Sequence, residues 1–253
     1  MTSRARDAPL LHVSDLSKHF RLRPARANLM RSIAAGFTRA PRRPERVALQ
    51  GIDFALARGE ALGVLGANGA GKTTLLKVIC GIYPPTTGSV RCQGIVLPLF
   101  QWGLGFQPEL DVMENLMLYG ALVGIPRLAL REQADDILDA AGLLRFPNTR
   151  VEHLSSGMQA RLAFSIAMRA RADLLVLDEV FSVGDLAFQN ACGERLRGRR
   201  EEGTAILLAS HNLSLIEKEC DRVLYLREGR MAALGPSGPT IARYRSDAGA
   251  GGE

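Results

Sequence analysis

A strand, a glycine-rich turn and a helix are written into consecutive residues of this chain. Gly66-Ala67-Asn68-Gly69-Ala70-Gly71-Lys72-Thr73 fits the pattern GxxxxGK[ST]. Ahead of it, residues 61–65 read as a short buried strand, and residues 74–79, beginning at Thr74, read as a helix. Such a turn points consecutive backbone N–H groups at one anion. Gly66, Gly69 and Gly71 allow the close backbone approach that a Cβ would block. Lys72 is placed to reach the β- and γ-phosphates of a bound nucleotide, and the Thr73 hydroxyl to ligate Mg²⁺. Asn68, Ala70 and Thr74 complete the predicted cradle. The plain alternative, an ordinary glycine-rich turn, leaves Lys-Thr after the last glycine unexplained.

The 253 residues, 47% of them hydrophobic, suffice for one large α/β domain with a lobe inserted into it. The net charge is +6, and only Lys18, Lys72, Lys77 and Lys218 among the basic residues are lysines. A basic balance allows a nucleic acid or an anionic membrane surface as partner and does not choose between them. Cys80, Cys92, Cys192 and Cys220 form no CxxC pair, which argues against a zinc site and a disulfide framework. No run of eighteen apolar residues appears, and the polar, Arg-bearing N-terminus does not read as a signal peptide. The expectation is a chain that stays in the cytosol.

Along the chain, residues 10–20 read as an opening strand that should pair as a hairpin with residues 47–56. An Arg/Ala/Pro-rich stretch, residues 21–46, interrupts that hairpin. Within it Leu29, Ile33 and Phe37 share a helical face, surrounded by arginines. It reads either as a solvated loop or as an amphipathic helix docking at a membrane or partner. A strand is expected over 89–96, helices over 112–123, 128–141 and 157–171, and no strand within 101–171. Further on come a buried strand at 174–177, a helix over 185–202, a buried strand at 205–209, a helix near 213–219 and a closing hairpin around Glu228-Gly229. A Gly/Ala-rich tail from Ser246 is expected to be flexible. The fold class is therefore α/β: a mainly parallel sheet flanked by helices, with an N-terminal antiparallel β subdomain and an inserted helical lobe at about 101–171, all in one domain over 1–245.

Leu174-Leu175-Val176-Leu177-Asp178 is an apolar strand ending in a carboxylate that can hold Mg²⁺ opposite Thr73. Glu179 follows and can act as general base on an attacking water. Upstream, Leu154-Ser155-Ser156-Gly157-Met158 opens a helix with hydroxyls and free N–H groups suited to an anion. His211 stands after Ala209-Ser210 at the end of another strand.

In their order along the chain these motifs resemble the ATP-binding-cassette ATPases, over residues 60–235 and the N-terminal strand. The resemblance implies that Phe20 stacks on adenine and that Gln101 is the glutamine reaching Mg²⁺ and the transporter, with Gln107 as a second candidate. It implies that Ser155, Ser156, Gly157 and Met158 form the signature that acts on ATP held by a partner copy. Ser182-Val183-Gly184-Asp185 would be the D-loop, and His211 the switch histidine sensing the γ-phosphate. The cofactors implied are ATP and Mg²⁺, in a head-to-tail homodimer.

Three stretches depart from the general pattern: Ser155-Ser156-Gly157-Met158-Gln159-Ala160-Arg161, Val180 to Gln189, and residues 99–115. They resemble the ATPases that export bacterial lipid-linked polysaccharides: O-antigen, capsule and teichoic acid. That likeness implies an integral membrane permease in two copies, a peripheral position on the cytoplasmic face of the inner membrane, and a gate helix at about 21–46. It implies no nucleic-acid partner. The chain stops soon after the closing hairpin, so selection of the glycan is expected to rest on the permease or another protein. Two other readings are an exporter of drugs or lipids and a soluble cassette ATPase working on nucleic acid or ribosomes.

Overall fold

The computed structural model describes residues 9–21, 45–100, 103–178 and 186–249. Three strands form a small antiparallel sheet in the order β2-β1-β4: β1 (Leu11–Arg21), β2 (Glu45–Leu56) and β4 (Thr87–Cys92). A six-stranded sheet runs β5-β6-β7-β3-β8-β9, from β3 (Ala61–Leu65), β5 (Val96–Leu99), β6 (Leu174–Asp178), β7 (Ala205–Ala209), β8 (Arg222–Arg227) and β9 (Arg230–Pro236). Its pairings are parallel except for the closing β8–β9 hairpin.

The central strands are short, almost wholly apolar runs because both sheet faces are covered. The alternation of side chains sorts them between two cores. Leu175, Leu177, Ile206, Leu208, Ala61 and Leu65 face the core shared with the helical lobe. Leu174, Val176, Leu207, Leu62 and Val64 face the core shared with the antiparallel sheet and α1 (Lys72–Ile79). Every one of these side chains is essentially inaccessible to water.

Residues 103–171 contain α2 (Val112–Leu122), α3 (Arg127–Glu132), α4 (Ala134–Ala141), a 3₁₀ turn (Val151–His153) and α5 (Ser156–Ala167), with no strand among them. After β6 come α6 (Leu186–Glu201), α7 (Leu213–Glu219) and α8 (Ser237–Gly249).

Three elements differ from expectation. The strand expected at 89–96 is two strands in two sheets, because the chain turns between Cys92 and Val96. Asp173 pins that corner, accepting from Ile95 N–H at 2.8 Å and from Arg58 at 2.7 Å. Arg58 also donates to Gln93 O at 3.2 Å. These donors hold the Asp173 carboxyl below its ordinary pKa. The helix expected over 128–141 breaks at Gln133, with no Gly or Pro to announce it. The break lets Leu130 pack onto Gly120 of α2 while Ile137 and Leu138 turn into the lobe core beside α5. The segment from Ser246, expected as a flexible tail, continues α8 to Gly249. Ile241 is buried, Tyr244 meets Tyr225 edge to face at 5.2 Å, and Asp247 lies 3.8 Å from Arg227. Most of the stretch read as a docking helix, residues 22–44, lies outside the described residues.

Burial raises the thiols of Cys192 and Cys220 from 9.0 to about 12, and the phenol of Tyr119 from 10.0 to about 12. Above pH 9 the unfolded chain therefore gives up these protons before the folded one does. The contribution of these three groups to stability is fully present below pH 9 and is lost between pH 9 and about 12. Urea melts at stepped alkaline pH should show this decline, flattened in a Cys192→Ala/Cys220→Ala double variant.

Candidate active site

Register in the parallel sheet brings the site together. Val64 of β3 and Asp178 of β6 both lie opposite Ala209 of β7. The three strands therefore finish at one edge, and the residues just past them meet: Gly66 after β3, Asp178 on β6, and His211 after β7. Ligands of open α/β sheets bind at this carboxyl edge.

The glycine-rich turn is held tightly there. Gly71 has φ 108°, and a Cβ on it would stand 2.7 Å from Ala48 O and 2.9 Å from Leu49 Cδ2. A Cβ on Gly66 would stand 2.5 Å from Leu226 O. The β8–β9 turn clamps the far side: Gly229 N–H donates to Ala70 O at 3.0 Å, and Gln50 N–H donates to Gly229 O at 2.8 Å. Lys72 opens α1 and is buried. Its Nζ donates to Gly66 O at 2.7 Å and lies 3.4 Å from both Ala67 O and His211 Nε2. Thr73 Oγ1 donates to Asp178 Oδ2 at 2.8 Å. The first turn of α1 carries no acidic residue, so the helix dipole is available to an anion.

Several of these groups line a cavity of about 660 Å³; Gly66 and Ala70 are not among its lining residues. Phe20, Asn68, Gly69, Gly71, Lys72, Thr73, Thr74, Asp178 and His211 all border it. Its lining combines an aromatic ring, the glycine-rich backbone, an ammonium, and a hydroxyl beside a carboxylate. That set of surfaces suits a base, a polyphosphate and a hard cation. Among the described residues no group of three or more His, Cys, Asp and Glu stands together. Thr73 and Asp178 instead offer two hard oxygens side by side, a donor set that suits a cation completing its shell with phosphates and water.

Ser155, Ser156, Gly157 and Met158 are not among the residues lining this cavity. Ser155 caps α5, accepting from Met158 N–H at 3.2 Å, and both serines are exposed. Gln159, which had no assigned role, donates to Val151 O and Leu154 O at 3.1 and 3.2 Å and fixes the turn before the helix. Gln107 is described and exposed. Gln101, Glu179 and Asp185 lie outside the described residues.

The sequence reading also passed over Arg46, Glu228 and Gly229, which line the cavity. Arg46 is the cross-strand partner of Phe20, a pairing that only the register reveals. Asn115 was missed as well. It is fully buried; its amide donates to Gln107 O, Leu110 O and Asp111 O, while its carbonyl accepts from Gln107 N–H at 2.7 Å. It ties residues 107–111 to α2, whose Asp111/Glu114 capping box was the available sequence signal.

Fold and cavity together define a phosphate-loop nucleoside triphosphatase. Residues 49–182 match the ABC transporter family, and the chain belongs to that family. It binds ATP and is an ATPase. It is 37% identical over 199 residues to the O-antigen export system ATP-binding protein RfbB of Klebsiella pneumoniae, covering 79% of this chain and 81% of that one. It is 34% identical over 235 residues to the teichoic acids export ATP-binding protein TagH of Levilactobacillus brevis, covering 93% of this chain and 64% of that one. Among solved structures, an ATP-binding subunit of an ABC transporter superposes with TM-score 0.73 at 26% identity, covering 94% and 93% of the two chains. An ATP-binding cassette captured as a dimer after hydrolysis, with ADP and phosphate, superposes with TM-score 0.72 at 19% identity, covering 90% and 98%, and shares the fold.

Lys72→Ala should weaken ATP binding about 10- to 100-fold, the size expected for losing a charge-assisted bond to phosphate. Titration with a fluorescent ATP analogue checks this. Unchanged affinity would remove Lys72 from the site.

Proposed function

We propose that this chain is the ATP-hydrolysing subunit of an exporter of lipid-linked polysaccharide, of the O-antigen, capsule or teichoic-acid class. The observation that carries this is its likeness to two ATP-binding proteins named for such export, one over 79% and the other over 93% of this chain. In the proposed arrangement Phe20 receives the adenine, and the backbone of residues 66–74 together with Lys72 holds the phosphates. Thr73 and Asp178 would hold Mg²⁺, which would supply neutralisation of phosphate charge. Glu179 takes a proton from the attacking water, and His211, beside Lys72, senses the γ-phosphate. Gln101 or Gln107 links the site to the permease.

The signature residues Ser155–Met158 stand apart from the cavity of their own chain, which supports a second copy as their target. Two copies would close head to tail over two ATP molecules, with Asp185 near the seam. ATP closes the pair and hydrolysis reopens it, and the cycle works on two copies of a permease that contacts the glycan. Among the described residues no helix is long and apolar enough to cross a membrane. We place the subunit on the cytoplasmic face of the bacterial inner membrane, held by that permease, and assign the stretch at about 21–46 the role of a gate helix.

Glu179→Gln should retain ATP binding, lose about 10²–10⁴-fold in turnover and trap the dimer. Pulled from detergent-solubilised membranes with ATP, the tagged variant should carry a polytopic membrane protein and a polyprenyl-linked sugar, identified by mass spectrometry. Recovery of ribosomal or nucleic-acid-binding partners alone would overturn the export reading and leave the ATPase chemistry intact.

A further inference from the structure

Phe20 lines the cavity, and two side chains that do not line it, Tyr83 and Lys18, contact its ring. Tyr83 meets Phe20 edge to face, with centroids 5.4 Å apart and planes at 81°. Lys18 Nζ lies 5.1 Å from the Phe20 centroid and 5.8 Å from that of Tyr83, and it donates to Pro84 O at 2.8 Å. Lys77 Nζ lies 5.7 Å from the Tyr83 centroid. Only four of the 32 basic residues are lysines, and two of those four converge on this one tyrosine.

The supports reach the ring by separate routes. Lys18 and Phe20 are two residues apart on β1 and so share a face. Tyr83 lies four residues past the end of α1, tied back to it by its N–H, which donates to Lys77 O at 3.2 Å. Helix α1 begins at Lys72, so one rigid element carries the phosphate cradle at its start and the brace for the aromatic ring beyond its end. A cation on one face of a ring draws electron density toward itself and leaves the opposite face better suited to stack on an electron-rich purine.

We propose that Lys18 and Tyr83 are positioning residues for base recognition, holding Phe20 in the plane that stacks on adenine and polarising it from behind. This rests on the reading of Phe20 as the base contact. Tyr83→Leu and Lys18→Met each remove one support and keep apolar bulk, whereas Tyr83→Phe keeps the edge-to-face contact.

The test is equilibrium binding of ATP beside binding of inorganic triphosphate, which has no base, measured by displacement of a fluorescent nucleotide. Tyr83→Leu and Lys18→Met should each weaken ATP about 3- to 30-fold and leave triphosphate unchanged, and Tyr83→Phe should restore ATP binding. Equal losses for ATP and triphosphate would show damage to α1 instead and overturn the proposal. Phe20→Ala separates the two readings. If it weakens ATP while the Tyr83 and Lys18 variants do not, the supports are misassigned and the base contact stands. If Phe20→Ala leaves ATP affinity unchanged, the base contact falls and the proposal with it.

Discussion

The site depends on register. Three parallel strands pair so that β3, β6 and β7 end together, with Val64 and Asp178 on either side of Ala209. Gly66 and His211 each lie two residues beyond that level, past Val64 and Ala209, at the same edge as Asp178. The Lys72–His211 and Thr73–Asp178 contacts follow from that alignment. A slip of one residue in any pairing would turn the alternate side chains to the wrong core and carry the carboxyl-end edge with them. The two buried cores are therefore what keeps the chemistry aligned, because Leu175 and Leu177 belong to one and Leu174 and Val176 to the other.

The phosphate loop is equally a product of its surroundings. Its glycines answer to neighbours that come from distant sequence: Ala48 and Leu49 crowd Gly71, and Leu226 crowds Gly66. The antiparallel sheet and the closing hairpin thus meet at the loop and give it walls. Of the residues lining the cavity, Phe20 belongs to the antiparallel sheet and Asp178 to the parallel one. A ligand filling the cavity would bridge the two sheets.

Much of this was legible in the sequence for a physical reason. The apolar runs at 61–65, 174–177 and 205–209 are too short for buried helices and suit strands buried on both faces, and each leads into a residue with chemistry. The glycine pattern and Lys72-Thr73 state the local geometry almost directly. What escaped notice depends on contacts between distant segments. Arg46 enters the cavity because it pairs with Phe20 across β1 and β2, and Glu228 because a hairpin folds back on Ala70. The break at Gln133 has no breaker residue, since packing on Gly120 decides it. The continuation of α8 past Ser246 depends on Tyr244 finding Tyr225, a contact that Gly/Ala composition conceals.

The clamp of Gly229 on Ala70 and Gln50 has a consequence for how the protein is made. The phosphate loop leaves the ribosome early, yet its backing wall comes from residues 226–229, more than 150 positions later. Until that hairpin emerges, β3 lacks one of its two neighbours and the loop lacks the carbonyl and amide that confine it. A finished cradle for nucleotide would therefore wait on the emergence of that hairpin. A nascent or truncated chain ending before the hairpin would carry the complete GxxxxGK[ST] pattern without a finished cradle.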